Sequence, residues 1–222
     1  GLVVRYDLLV PKAYGLDFDA LLDRCVAAGY RGLNVTYPYK EPAFRRAHQV
    51  NDDVRIMGAA NTLLLTDAGI IGRNTDYSGF ITAWRRTFGD LPPGDVALVG
   101  AGGVGKAVGF ALLALGAHSL RIYDLIAERS AQLAQALNSH RSSLFATAVD
   151  SIDACMTRAT GRVNCTPVGM TGNPGTALPA RLMRGATWAF DAVYIPVNTE
   201  FLRAAAAAGL RTMDGYELLF YQ

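Results

Sequence analysis

The chain has 222 residues, is half hydrophobic, and carries a formal net charge of +2. That length holds one large or two small domains with a full apolar core, and so even a charge balance gives no reason to propose a nucleic acid or a membrane surface as partner. The cysteines, Cys25, Cys155 and Cys165, are odd in number and scattered; they form neither a disulfide framework nor a metal-ligand spacing, which suits a reducing cytoplasm and a metal-free site.

No apolar run reaches membrane-spanning length, the Ala-rich Leu202 to Leu210 included, and no signal peptide is visible. The abrupt opening on Leu2-Val3-Val4 and the stop at Gln222 suit a fragment. Val3 to Val10 reads as a strand. Asp17 can cap a helix through Ala28, with Leu21, Leu22, Cys25 and Val26 on one face and Gly29 as the stop. Arg31 to Val35 is the next strand, so the opening predicts a parallel β-α-β unit. A proline-stiffened polar loop, Asn34 to Lys40, precedes a helix over Pro42 to Val50. Leu63 to Leu65 and Ile70-Ile71 flank a hairpin turn at Asp67-Ala68-Gly69. Gly72 to Asp76 leads into an amphipathic helix ending at Phe88, and Leu91-Pro92-Pro93-Gly94 is the clearest linker-like stretch.

Strand and helix then alternate. Strands are expected at Asp95 to Val99, Leu120 to Asp124, Leu144 to Thr147, Arg162 to Cys165, Trp188 to Asp191 and Arg211 to Met213. Helices are expected at Gly103 to Leu115, Ala127 to Asn138, Ile152 to Met156 and Thr199 to Ala208. This alternation predicts a doubly wound parallel sheet.

Inside it, Gly100, Gly102 and Gly105 fit G-x-G-x-x-G between a strand and a helix. The first glycine makes the tight turn, the second lets backbone approach a pyrophosphate, and the third lets helix pack on strand. Ala101, Gly103 and Val104 complete the turn, whose helix start offers free N–H groups to phosphates. Asp124 ends the next strand, 19 residues after Gly105, where an acid that binds ribose is expected. Gly100 to Lys106 also spells the start of a nucleoside-triphosphate loop. That motif needs Ser or Thr next for magnesium, and Ala107 has no oxygen.

Three polar clusters sit at strand ends in the first half: Thr36 with Lys40, Asn61 with Thr62, and Asn74 and Thr75 with Asp76. Taken singly, each has an ordinary reading as a solvated charge, a turn residue or a helix cap. Together they suit a small polyhydroxylated substrate handled by proton transfer, with a lysine and a carboxylate at an alcohol oxygen while a cofactor moves hydride.

These stretches, in their order, resemble the shikimate dehydrogenase family, which includes quinate/shikimate dehydrogenases. The matching segments are Asn34 to Lys40, Gly58 to Thr62, Asn74 to Phe80, Gly100 to Gly105, Asn164 to Met170, Asp191 to Pro196, and Asp214-Gly215 followed by Gln222. The resemblance implies two α/β domains with the active site in the cleft between them. Residues 1–76, completed by 215–222, would form a substrate domain with a mainly parallel sheet, and 77–214 a Rossmann domain. It implies that Lys40 and Asp76 are the catalytic pair. Thr36, Asn61, Tyr194 and Gln222 fall with them on substrate-contact positions; Thr166, Pro167, Ala192 and Gly215 fall near the nicotinamide. The family's N-terminal strand and its hydroxyl-rich Ser-x-Ser/Thr loop are missing before Gly1, and its C-terminal helix is cut at Gln222. Tyr77 replaces a small residue, and Tyr216 to Phe220 lacks the usual methionine.

The expected protein is thus an NAD-dependent dehydrogenase of a cyclitol acid, monomer or homodimer. NADP is the less favoured cofactor, because Asp124-Leu125-Ile126-Ala127 holds no cation for its extra phosphate, while Arg121 and Arg129 are poorly placed. A nucleotide-triphosphate enzyme using Gly100 to Lys106 and a non-catalytic dinucleotide sensor are the rival readings.

Overall fold

Asp17 starts a helix as its position predicts: its carboxylate accepts the Ala20 N–H at 2.8 Å, and α1 (Phe18–Ala27) follows, burying Leu21, Leu22 and Cys25. The structure is a computed structural model that describes residues 4–222. The chain divides into a first unit ending at Arg73 and a second, Asn74–Gln222. The resemblance instead divides the chain by role, after residue 76, and assigns 215–222 to the first domain.

The first unit carries a four-stranded sheet of β1 (Gly32–Asn34), β2 (Gln49–Val50), β3 (Thr62–Thr66) and β4 (Gly69–Arg73), in the order β1-β3-β4-β2. The expected hairpin joins β3 to β4, and a hairpin makes its strands antiparallel. β1 also runs antiparallel to β3, and only β2 is parallel to its neighbour β4. This corrects the expectation of a mainly parallel sheet, and of a parallel β-α-β opening.

Of the strand expected at Val3 to Val10, Val3 lies outside the described residues. Residues 4–10 form no regular element and join no ladder among the described residues. Val4, Tyr6 and Leu8 are 74–84% exposed, so alternation here is not matched by burial. The helix expected over Pro42 to Val50 is α2 (Lys40–Arg46) followed by β2. Ala47 turns extended, the His48 N–H donates to Ile70 O at 2.8 Å, and the Ile70 N–H donates to His48 Nδ1 at 3.0 Å. Pairing with β4 therefore outcompetes another helical turn. A further helix, α3 (Asp52–Met57), was not expected. Asn51 caps it and Gly58, at φ +62°, ends it.

The second unit begins with α4 (Thr75–Phe88) and continues through β5 (Asp95–Val99), α5 (Gly103–Ala114), β6 (Ser119–Tyr123), α6 (Ala127–Asn138), β7 (Ala146–Ala148) and α7 (Ile152–Met156). It ends with β8 (Gly161–Asn164), β9 (Trp188–Asp191), α8 (Glu200–Ala207), β10 (Arg211–Met213) and α9 (Gly215–Phe220). The sheet order is β10-β9-β8-β5-β6-β7, every pair parallel. This is the doubly wound order, and the winding reverses at β5 and β8, where ligands of such sheets bind. β8 and β9 are buried at every position, as a sheet covered on both faces requires.

One face packs Ala97, Val99, Met183, Phe201 and Leu202. Over the other, Phe80 of α4 meets Phe190 edge-on at 4.9 Å, and Trp84 meets Trp188 at 4.7 Å. Both indoles donate into the Leu91–Pro93 stretch: Trp84 Nε1 to Leu91 O and Trp188 Nε1 to Pro93 O, each at 3.0 Å. The linker-like stretch is thus a fixed joint within the second unit. α9 lies along α4, so close that a Cβ on Gly79 would stand 3.0 Å from Leu218 O.

Candidate active site

The glycine turn after β5 has the geometry its spacing predicts. Gly100 sits at φ +97°, and a Cβ there would stand 2.7 Å from the Cys165 carbonyl carbon. A Cβ on Gly105 would stand 1.9 Å from Gly100 O, which no side chain tolerates. Gly102 is the N-cap of α5 and brings no capping side chain, while a Cβ on it would meet nothing within 4 Å. The N–H groups of the first turn of this 12-residue helix, at Gly103 and Val104, therefore receive no capping side chain from Gly102. Asp124 fixes this turn from β6: its Oδ2 accepts the Ala101 N–H at 2.7 Å and its Oδ1 the Ile126 N–H at 2.9 Å. Leu125 is 90% exposed beside it. A glycine cradle, an uncapped helix start and a strand-end carboxylate fit a dinucleotide. The Ala107 methyl is fully buried where a triphosphate loop carries its magnesium-binding hydroxyl.

At the ends of β8 and β9 lies an arrangement for which the sequence reading gave no role. Asn164 and Asp191 are register partners and both fully buried. Asp191 Oδ1 accepts Asn164 Nδ2 at 2.9 Å and the Val193 N–H at 3.0 Å, and its Oδ2 accepts the Thr199 hydroxyl at 2.6 Å. Asn164 Oδ1 accepts the Thr166 N–H and hydroxyl, at 3.0 and 2.7 Å. Burial pushes the Asp191 carboxyl up to about 6, against the pull of its three hydrogen bonds, and Asp214 adds to the rise. The signal was an amide and a carboxylate ending two successive strands, the second of them otherwise apolar. Thr166 and Pro167 sit on the loop this network holds. Ala192 and Gly215 meet: a Cβ on Gly215 would stand 2.5 Å from Ala192 O. Tyr194 stands beyond, 40% exposed.

In the first unit, backbone hydrogen bonds bring Thr36, Lys40 and Asn61 together. Val35 N–H donates to Asn61 O at 2.7 Å, Tyr39 N–H to Thr36 O at 2.9 Å, and Ala60 N–H to Lys40 O at 2.9 Å. Lys40 and Asn61 are buried, and Thr36 is exposed. In the second unit, Asp76 lies in the first turn of α4 and is 1% exposed. Its Oδ1 accepts Gln222 Nε2 at 2.6 Å across 146 residues of chain, so the structure unites these two predicted residues. Among the described residues no cluster of His, Cys, Asp and Glu could hold a metal ion, and no helix is long and apolar enough to cross a membrane.

Fold and site define an α/β oxidoreductase of the nicotinamide-dinucleotide class. Residues 4–63 match the family model described as the shikimate dehydrogenase substrate binding domain. The chain is 37% identical over 221 residues to the quinate/shikimate dehydrogenase (NAD(+)) of Corynebacterium glutamicum, covering 98% of this chain and 78% of the relative. It is 39% identical over 227 residues to the shikimate dehydrogenase (NADP(+)) of Streptomyces avermitilis, covering 100% of this chain and 78% of the relative. A solved quinate dehydrogenase from Corynebacterium glutamicum in complex with NAD superposes with a TM-score of 0.81 at 36% identity, over 95% of this chain and 76% of that one. The chain belongs to the shikimate/quinate dehydrogenase family.

Proposed function

We propose that the protein interconverts the ring 3-hydroxyl and 3-ketone of shikimate or quinate, with NAD as preferred cofactor and Lys40 and Asp76 as its acid–base pair. The observation that carries this reading is the burial of a lysine and an aspartate on the two segments where the family places its catalytic pair. A solvated surface charge or a plain helix cap does not need to be buried.

A bound nicotinamide dinucleotide supplies the hydride acceptor in oxidation and the hydride donor in reduction. In oxidation the neutral amine of Lys40 accepts the hydroxyl proton; in reduction its ammonium gives that proton back. The charge of Asp76 tunes the Lys40 amine for this proton transfer, and Gln222 Nε2 on Oδ1 fixes the plane of that carboxylate. Thr36, Asn61 and Tyr194 bind the ring's oxygens. In this scheme 1–76 and 215–222 serve the substrate, and 77–214 serves the dinucleotide. Gly103 and Val104 N–H groups bind the pyrophosphate, and Thr166, Pro167, Ala192 and Gly215 border the nicotinamide.

Asp124 supports NAD. Its carboxylate at the ribose end would face the phosphate of NADP, and like charges at contact cost on the order of 1–4 kcal/mol. Initial rates on shikimate and quinate with each cofactor test the reading. Turnover of at least one acid, faster with NAD, is expected. Tight NAD binding without turnover of either acid overturns it in favour of a sensor.

A further inference from the structure

The two strand-end loops that border the proposed nicotinamide site hang from one buried carboxylate. Asp191 reaches the first loop through Asn164, which holds Thr166 by two hydrogen bonds and donates to Val168 O at 3.2 Å. It holds the second loop directly through the Val193 N–H, and the start of α8 through the Thr199 hydroxyl. That hydroxyl in turn accepts the Leu202 N–H at 3.2 Å, so its proton has one direction to go. The loops meet again further out, where the Thr171 N–H donates to Ile195 O at 2.9 Å. The first loop also bears on the glycine turn, since Gly100 abuts the Cys165–Thr166 peptide.

We propose that Asp191 is a positioning residue for the cofactor: as a carboxylate it locks both loops and, through them, the surface that receives the nicotinamide. The inference rests on the dinucleotide reading above. All three groups that face the carboxylate are donors. A proton on it would need an acceptor, and Thr199 could serve only by turning its hydroxyl over. Protonation therefore loosens the tie. The charged group acting on Asp191 is Asp214, at the N-cap of α9. Since the Asp191 carboxyl is raised to about 6, the tie is complete at pH 7.5 and weakens as pH falls through 6.

Titration calorimetry of the full chain with NAD tests this without requiring turnover. Asp191→Ala should weaken NAD binding roughly tenfold or more, as loss of hydrogen bonds to a charged group implies. Asp191→Asn keeps an oxygen for Asn164 and Val193 and presents its amide to Thr199. It thereby mimics the protonated carboxyl, since Thr199 must turn its hydroxyl over to accept, and should bind about threefold more weakly than wild type at pH 7.5. The wild-type Kd should rise about threefold between pH 7.5 and 5.5, while that of Asp191→Asn stays flat. Turnover, where present, should show a raised KM for NAD with kcat at saturation retained. A folded Asp191→Ala with wild-type Kd overturns the proposal. So does an Asp191→Asn that keeps the wild-type pH slope, which decides the matter even if the alanine variant fails to fold. Wild-type protein that binds NAD but turns over neither acid defeats the catalytic reading alone; protein that binds neither dinucleotide defeats both.

Discussion

The second unit makes its candidate ligand surface largely from backbone, and the first makes its own from side chains. Around Gly100, Gly102 and Gly105 the decisive atoms are carbonyls and N–H groups, and residues are chosen for having no Cβ. Around Lys40 and Asn61 the decisive atoms, on the proposed reading, are side-chain amine and amide, held in place by main-chain hydrogen bonds that any residue type could make. A backbone surface tolerates no added atoms but is generic in what it binds. A side-chain surface tolerates small distortions but depends on the identity of each group. The first kind should therefore fail in binding when altered, and the second in chemistry.

Lys40→Ala is the largest expected effect and the sharpest test of that contrast. General acid–base groups contribute about 10²–10⁴-fold, so kcat should fall by that order while NAD binding stays near wild type. Near-native kcat would remove Lys40 from the mechanism. Gly105→Ala should do the reverse. Its Cβ would stand 1.9 Å from Gly100 O, both in backbone, so the turn must move. Overpacking of this kind costs about 1–3 kcal/mol, and we expect NAD affinity to drop roughly ten- to a hundredfold with kcat at saturation largely kept. Wild-type affinity in a folded Gly105→Ala would show that the cradle does not bind the cofactor.

The same contrast explains what could be read in advance. The glycine turn and Asp124 were legible because a close backbone approach forces residue type and spacing together. The Lys40, Asn61 and Asp76 clusters had no such spacing; their place at strand ends drew notice, but each had an ordinary alternative, and the resemblance gave Lys40 and Asp76 their roles. Asn164 and Asp191 were quoted within motifs, yet their partnership depends on the β8–β9 register, which no local pattern fixes. Residues 4–10 alternate as a strand should, but a strand is made by its neighbours. β2 was read as helix because its two residues continue an acceptable helical pattern, and only β4 decides otherwise.

A smaller effect tests cofactor choice. Asp124 is a side chain within the backbone-built half, and it holds the Ala101 and Ile126 N–H groups as well as, on the proposed reading, facing the ribose end. Wild type should prefer NAD to NADP by at least about tenfold in kcat/KM, near 1.4 kcal/mol. Asp124→Ala with Leu125→Arg should narrow or reverse this. Wild-type rates that are equal or better with NADP would mean that a cation outside Asp124–Ala127 meets the phosphate.

The smallest effect concerns the frame of the first unit. If its side-chain cluster depends on main-chain bonds nearby, the elements that carry those bonds should matter through stability and not through chemistry. α3 ends at Gly58, two residues before the Ala60 N–H that donates to Lys40 O. Asn51 caps that helix, accepting the Val54 N–H at a long 3.3 Å. Losing an N-cap costs about 0.5–2 kcal/mol, and the long bond puts this one at about 1 or less. Asn51→Ala should therefore lower the urea midpoint slightly and speed hydrogen exchange at residues 54–58 first. The kcat should remain within about twofold, since no group that moves a proton is touched. A large fall in kcat with unchanged exchange would show that this segment acts on the chemistry itself, and the division between frame and reacting groups in the first unit would have to be redrawn.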